Sequence, residues 1–163
     1  MRKVVLGAVA AALTLAVVGP TLAGAAHGRK VHKCKVNVTG RFAQVKVKSG
    51  APPASGADTD VGSIDGKLCG KRLYGATRNE NKYPTPGSFS SKATAFGPKG
   101  EIKARFKGTG KVNPDGSISF TGSGKVTGGT GIYKHATGSF SFSGTEAAGS
   151  TVAAQHIKGK IKY

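Results

Sequence analysis

Apolar and polar residues alternate with a period of two along much of this chain. Cys34, Val36 and Val38 alternate with Lys33, Lys35, Asn37 and Thr39, and Ala43, Val45 and Val47 alternate with Gln44, Lys46 and Lys48. Ile102, Ala104 and Phe106 alternate with Lys103, Arg105 and Lys107. Ile118 and Phe120, then Phe140 and Phe142, alternate with Ser and Thr, while Ile157, Ile161 and Tyr163 alternate with Lys158, Lys160 and Lys162. A period of two places successive side chains on opposite faces of a strand, so each run predicts a strand with one buried face. No segment of 27–163 carries a helical period.

Turn residues separate the runs. Pro98-Lys99-Gly100 and Asn113-Pro114-Asp115-Gly116 each lie between alternating segments and predict hairpins. Residues 49–60 and 79–87, rich in Pro, Gly and Ser or Asn, predict longer loops. Gly128-Gly129-Thr130-Gly131 and Gly144 predict reversals or bulges, and the glycines in general predict turns and strand bends. A weak repeat runs through this half. Gly108-Thr109-Gly110-Lys111-Val112 returns as Gly122-Ser123-Gly124-Lys125-Val126, and Gly116-Ser117-Ile118-Ser119-Phe120 returns as Gly138-Ser139-Phe140-Ser141-Phe142. Repeated hairpins with few apolar residues predict an all-β fold: an antiparallel up-and-down barrel of about eight strands, closed so that no strand edge is exposed. A β-sandwich is the alternative.

Composition sharpens this picture. The 163 residues carry 25 Lys and Arg against 7 Asp and Glu, a formal net charge of +18, with 26 Gly and no Trp. High charge and few large apolar residues favour disorder in general. Here the charges keep phase with the apolar positions, which an unfolded segment has no reason to do. The glycine content weighs against a helical bundle, since Gly in a helix interior costs about 1 kcal/mol relative to Ala.

The N-terminus supplies an address. Arg2 and Lys3 precede an uncharged apolar run from Val4 to Val18, then Gly19-Pro20 and the small residues Ala23-Gly24-Ala25. This is the pattern of a cleaved secretory signal peptide over 1–26, leaving 27–163 as one domain with no stable membrane span. In an oxidising compartment the two cysteines, Cys34 and Cys69, are expected to form a disulfide. Closing a loop of that length stabilises the fold by about 3–4 kcal/mol in the chain-entropy model. The competing reading is a reactive thiol at Cys34, flanked by Lys33 and Lys35.

The segment 95–145 holds Gly128-Gly129-Thr130-Gly131-Ile132-Tyr133-Lys134-His135-Ala136-Thr137-Gly138, a GGTGxYxxATG core after the GxGxV strand. It resembles the allene oxide cyclase and dirigent-type barrels, most of all small secreted bacterial proteins of that class. The resemblance implies an antiparallel barrel, oligomeric in the plant relatives, in which interior polar groups handle a hydrophobic substrate. No interior catalytic position is carried over.

Candidate chemistry is sparse. No Gly-Lys pair is followed by Ser or Thr, so there is no phosphate-binding loop. Asp58, Asp60 and Asp65 lie close in sequence without calcium-loop spacing and read as solvated loop carboxylates. Glu101 and Glu146 are isolated near turns. His27 and His32 sit near the expected mature N-terminus, and His156 shares the outward parity of the C-terminal lysines. Tyr133 and His135 are the only candidates for acid–base work, with the alternative that Tyr133 packs in the core and His135 is exposed. No metal site and no cofactor are expected.

Charge is the strongest functional signal. Lys33, Lys35, Lys46, Lys48, Lys103, Arg105, Lys107, Lys158, Lys160 and Lys162 all fall on the outward parity. Such stripes attract polyanions by counterion release. The leading expectation is a secreted, non-enzymatic binding protein whose exterior contacts an anionic cell-wall polymer or polysaccharide. A barrel holding a small apolar ligand and a cyclase or isomerase are the alternatives. Sequence-specific nucleic-acid recognition is not expected, because no aromatic platform interrupts the basic stripes.

Overall fold

The computed structural model describes residues 33–49 and 56–163, with side chains for 33–45 and 56–163. Residues 1–26, expected to be a signal peptide, His27, His32, and the side chains of Lys46, Val47 and Lys48 lie outside it. The strands are β1 (Lys33–Ser49), β2 (Gly56–Leu68), β3 (Lys71–Tyr83), β4 (Ser88–Gly97), β5 (Gly100–Val112), β6 (Ile118–Gly129), β7 (Thr137–Glu146) and β8 (Val152–Lys162). Each pairs antiparallel with the next, and β8 returns to pair with β1, closing an eight-stranded barrel. The barrel stands in place of the β-sandwich. Closure leaves no free edge on a sheet whose outward face is hydrophilic. One short 3₁₀ turn, Gly131–Tyr133, is the only helical element among the described residues, and none of these residues forms a helix able to cross a membrane.

The inward parity agrees with the expected strands except at three places. In β1 it is Phe42 and Gln44 that point inward, while Val45 is 56% exposed. A register shift between Gln44 and Lys46 follows, so an apolar count across the bulge places the wrong residues inside. The second correction is β2, which begins at Gly56, so that Asp58 and Asp60 are strand residues rather than loop residues. The third is β3, which continues to Tyr83 through a stretch of Asn, Glu and Lys that reads as loop. Both segments do alternate, but their inward members are polar.

Aromatic rings fill the barrel by facing glycines. Six of the seven phenylalanines point inward, and each lies directly opposite a glycine on a neighbouring strand: Phe42 with Gly62, Phe89 with Gly108, Phe106 with Gly124, Phe120 with Gly110 and Gly144, Phe140 with Gly124 and Gly159, and Phe142 with Gly122. A Cβ at Gly122 would lie 2.4 Å from Phe142 Cζ, and one at Gly144 would lie 2.3 Å from Phe120 Cζ. These glycines are therefore strand residues that make room for rings, and only some of the chain's glycines occupy turns. The repeat of Gly-x-Gly against Phe-x-Phe is this interlock. The rings meet edge to face, with centroids 5.2 Å apart for Phe106 and Phe142 and 6.3 Å for Phe89 and Phe106. Each such pair contributes about 0.5–1.5 kcal/mol beyond its buried area.

One end of the barrel is plugged. The connection between β6 and β7 folds inward and buries Tyr133 and Ala136 against Leu68 and Ile161, with Cys34, Cys69, Leu73, Ile102, Val126 and Tyr163 around them. The Thr130 N–H donates to the Glu101 carbonyl and the Ile132 N–H to the Lys99 carbonyl, so the plug is fastened to the hairpin between β4 and β5. Gly131 makes this possible. Its φ of +55 is left-handed, and an added Cβ would meet the Lys99 carbonyl oxygen at 2.3 Å. The Cys34–Cys69 disulfide closes the same end, which leaves no free thiol among the described residues.

Candidate functional site

The other end is open. The ends of β1, β3, β5 and β7 surround it. Below them lies a chamber of about 320 Å³, within the range of small-molecule pockets. A second cavity of about 110 Å³ lies deeper, toward the plug; Phe42, Asn79, Phe106 and Gln155 line both and form the waist between them.

The chamber arises from a polarity gradient along the inward face of each strand. In β2 that face reads Asp58, Asp60, Gly62, Ile64, Gly66, Leu68, from acidic at the mouth to apolar at the plug. In β3 it reads Tyr83, Asn81, Asn79, Thr77, Gly75, Leu73 in the same direction. Two unlike walls result. β1, β2, β3 and β8 supply Gln44, Asp58, Asp60, Asn79, Asn81, Tyr83 and Gln155. β4 to β7 supply Phe89, Phe106, Ile118, Phe120 and Phe142, with Glu146 at the lip.

Asp58 is the centre of the polar wall. It is 4% exposed and accepts three hydrogen bonds: from Gln44 Nε2 at 2.6 Å, Asn81 Nδ2 at 2.6 Å and Tyr83 Oη at 2.9 Å. Asn81 Nδ2 also donates to Asp60 Oδ2 at 2.6 Å, so a single amide bridges two carboxylates. Burial, and next to it the Asp58 charge, push the Asp60 carboxyl up to about 6; the Asn81 hydrogen bond opposes this. Glu146 is raised too, by burial and then by Asp58. Tyr83 is held firmly protonated, again by burial first and the Asp58 charge second. The cluster can thus hold negative charge against a cationic or hydrogen-bond-donating group, and Asp60 can exchange a proton near neutral pH. Among the described residues no three His, Cys, Asp or Glu side chains are placed to hold a metal ion.

The structure separates the residues singled out from the sequence. Tyr133 is 4% exposed inside the plug, with its ring 5.1 Å from that of Tyr163, and it lines neither the chamber nor the inner cavity. His135 is exposed. His156 faces outward and meets Asn37 Oδ1 at 2.6 Å. Of the three aspartates, Asp65 faces solvent and pairs with Arg72 at 2.8 Å. Asp58 and Asp60 turn inward, and Glu146 joins them. Their reading as solvated loop carboxylates is corrected, because strand parity carries them into the barrel. The parity of Asp58-Thr59-Asp60 was the available signal, masked by the neighbouring Pro and Gly.

Lys33, Lys35, Lys103, Arg105, Lys107, Lys158, Lys160 and Lys162 are all exposed on the outer face. They form two fields. Lys33 lies opposite Lys162 and Lys35 opposite Lys160, across β1 and β8. Arg105 lies opposite both Lys92 and Lys125, across β4, β5 and β6. Comparisons with protein-family models, with curated proteins and with solved structures found no match.

Proposed function

We propose that this is a secreted binding protein that holds a small, largely apolar molecule in the open end of its barrel. The two-walled chamber of about 320 Å³ carries the reading. Interiors normally close to crystal-like density, yet here five phenylalanines and a hydrogen-bonded carboxylate cluster surround space at the mouth instead of meeting across it. The disulfide and the N-terminal pattern support an extracellular setting. The test is native mass spectrometry of the full chain recovered from a secreting host. A discrete extra mass that survives high salt and leaves on denaturation is expected. It should be lost in Phe120→Trp, which fills the chamber. Extra mass retained in that variant, or released by salt, refutes occupancy of the chamber.

A second reading concerns the exterior: the outer face contacts an anionic polymer outside the cell. Like charges placed directly opposite across strands are destabilising. The only ion pairs among the described residues are Arg72–Asp65, Arg78–Glu80 and Lys103–Glu101. The two cationic fields therefore stand almost without internal partners. Binding to a teichoic-acid-type polyphosphate should weaken steeply with salt, and a salt-insensitive interaction would rule this reading out.

A further inference from the structure

We propose that the chamber is selective for an organic cation, an apolar body carrying a protonated amine, with the ammonium seated among Asp58, Asp60 and Glu146. This rests on the chamber reading and specifies its ligand class. Three of the chain's seven acidic residues line this chamber. Among the described residues, the only basic one lining it is Lys111, an exposed side chain at the rim. The remaining titratable group facing the cluster is Tyr83, whose hydroxyl donates to Asp58. A carboxylate ligand would therefore meet like charge, with no cation inside the chamber among the described residues to receive it.

The second observation is independent of the acids. Asn79 and Gln155 are 5% and 7% exposed, line the chamber, and have no side-chain hydrogen-bond partner among the described residues. The dry, unpartnered side-chain polar atoms among the described residues are Thr77 Oγ1 and Ser91 Oγ, so the amides of Asn79 and Gln155 open onto the chamber, where a ligand can reach them. Both stand at the waist, where the polar wall meets Phe42 and Phe106. Their carbonyl oxygens can accept from an ammonium, which has several N–H donors and no acceptor. Asp58 already accepts from three donors, whereas Asp60 accepts from Asn81 alone among side chains. Asp60 and Glu146 thus retain acceptor capacity toward the chamber. The facing wall of Phe89, Phe120 and Phe142 suits an aromatic or alicyclic body.

The experiment uses the full secreted chain with its disulfide intact and three probes of one shape: 1-naphthylmethylamine, 1-naphthylmethanol and 1-naphthoic acid. Affinities are measured by calorimetry at pH 7.5 and pH 5. The amine is expected to bind at least tenfold more tightly than the alcohol at pH 7.5, and the acid most weakly. The advantage of the amine should shrink at least fivefold at pH 5. It should shrink similarly in Asp60→Asn and Glu146→Gln, but persist in Asp65→Asn on the outer face. If the alcohol or the acid binds as well as the amine, the cation preference is overturned while the chamber reading stands. If none of the three binds, the chamber reading falls and takes this inference with it. Equal loss in Asp65→Asn would place the amine on the outer surface and overturn the inference as well.

Discussion

Replacing Asp60 with Asn should stabilise the empty protein at neutral pH. Asp60 sits partly buried beside Asp58 and within the field of Glu146, and its carboxyl titrates near 6 instead of 3.8. A pKa raised by folding means that the native state binds its proton more tightly than the unfolded chain does. Stability from this group is fully present below about pH 4 and is lost as pH rises through about 6. Its full expression would be about 3 kcal/mol, at 1.36 kcal/mol per pKa unit. Solvent at the mouth screens part of this, leaving about 1–2 kcal/mol. The Asn side chain keeps an oxygen to accept the Asn81 N–H, so the bridge survives while the charge goes. Thermal melts of both proteins from pH 4.5 to 8 provide the assay. At pH 7.5 the variant should melt about 4–8 °C higher. The gap should close toward pH 4.5, where the wild-type carboxyl is itself protonated. Taking the difference between the two proteins removes the opposite slope of Asp65 and Asp115, whose carboxyls are held low by Arg72 and Ser117. A variant that melts at or below wild type at pH 7.5, with a gap independent of pH, would refute the claim that the fold holds this charge at a cost.

Gly122→Ala should lose about 1–3 kcal/mol in chemical denaturation, because its Cβ would lie 2.3 Å from the Lys107 carbonyl oxygen as well as against Phe142. Gly144→Ala should behave alike through Phe120. Reducing Cys34–Cys69 should lower stability by about 3–4 kcal/mol, measured as a shift of the denaturation midpoint with and without reductant. Changing Lys103, Arg105 and Lys107 together to Gln should reduce the slope of log affinity for a polyphosphate against log salt by about 2–3, while leaving naphthylmethylamine binding at the chamber intact.

The barrel was legible where inward residues are apolar. Val36, Val38, Ile102, Phe106, Phe120, Phe142 and Ile161 fall on the inward face as their alternation requires, and the hairpins at Pro98–Gly100 and Asn113–Gly116 join β4 to β5 and β5 to β6. The chamber was not legible, because hydrophobic periodicity is blind to a strand whose buried face is polar. Asp58 and Asp60 in β2, and Asn79 and Asn81 in β3, alternate as faithfully as the valines of β1, but neither of their faces is apolar. Glu146 belongs to the cluster only because β7 places its end at the same mouth. That neighbourhood follows from closing the barrel and from no spacing in the sequence. The pairing of phenylalanine with glycine was visible as a repeat, but its meaning needed the register that sets Phe142 against Gly122.

The distribution of charge gives the fold two surfaces of opposite sign. A sequence selected for folding alone would place acids beside the outward lysines, where pairs such as Lys103 with Glu101 form, and would fill the barrel mouth with apolar side chains. This chain does the reverse at both places. It sets Lys33 against Lys162 and Lys35 against Lys160 outside, and inside it places a partly buried Asp60 beside the buried Asp58. Moving one acid from the chamber to the outer face would relieve both repulsions at once. The arrangement therefore costs stability twice, in a domain whose core is thin enough to rely on one disulfide. A bound cation inside and a polyanion outside would each relieve one of these repulsions. The two sites need not compete, since the chamber opens at the mouth while Lys33, Lys35, Lys160 and Lys162 cluster toward the plugged end of the barrel wall.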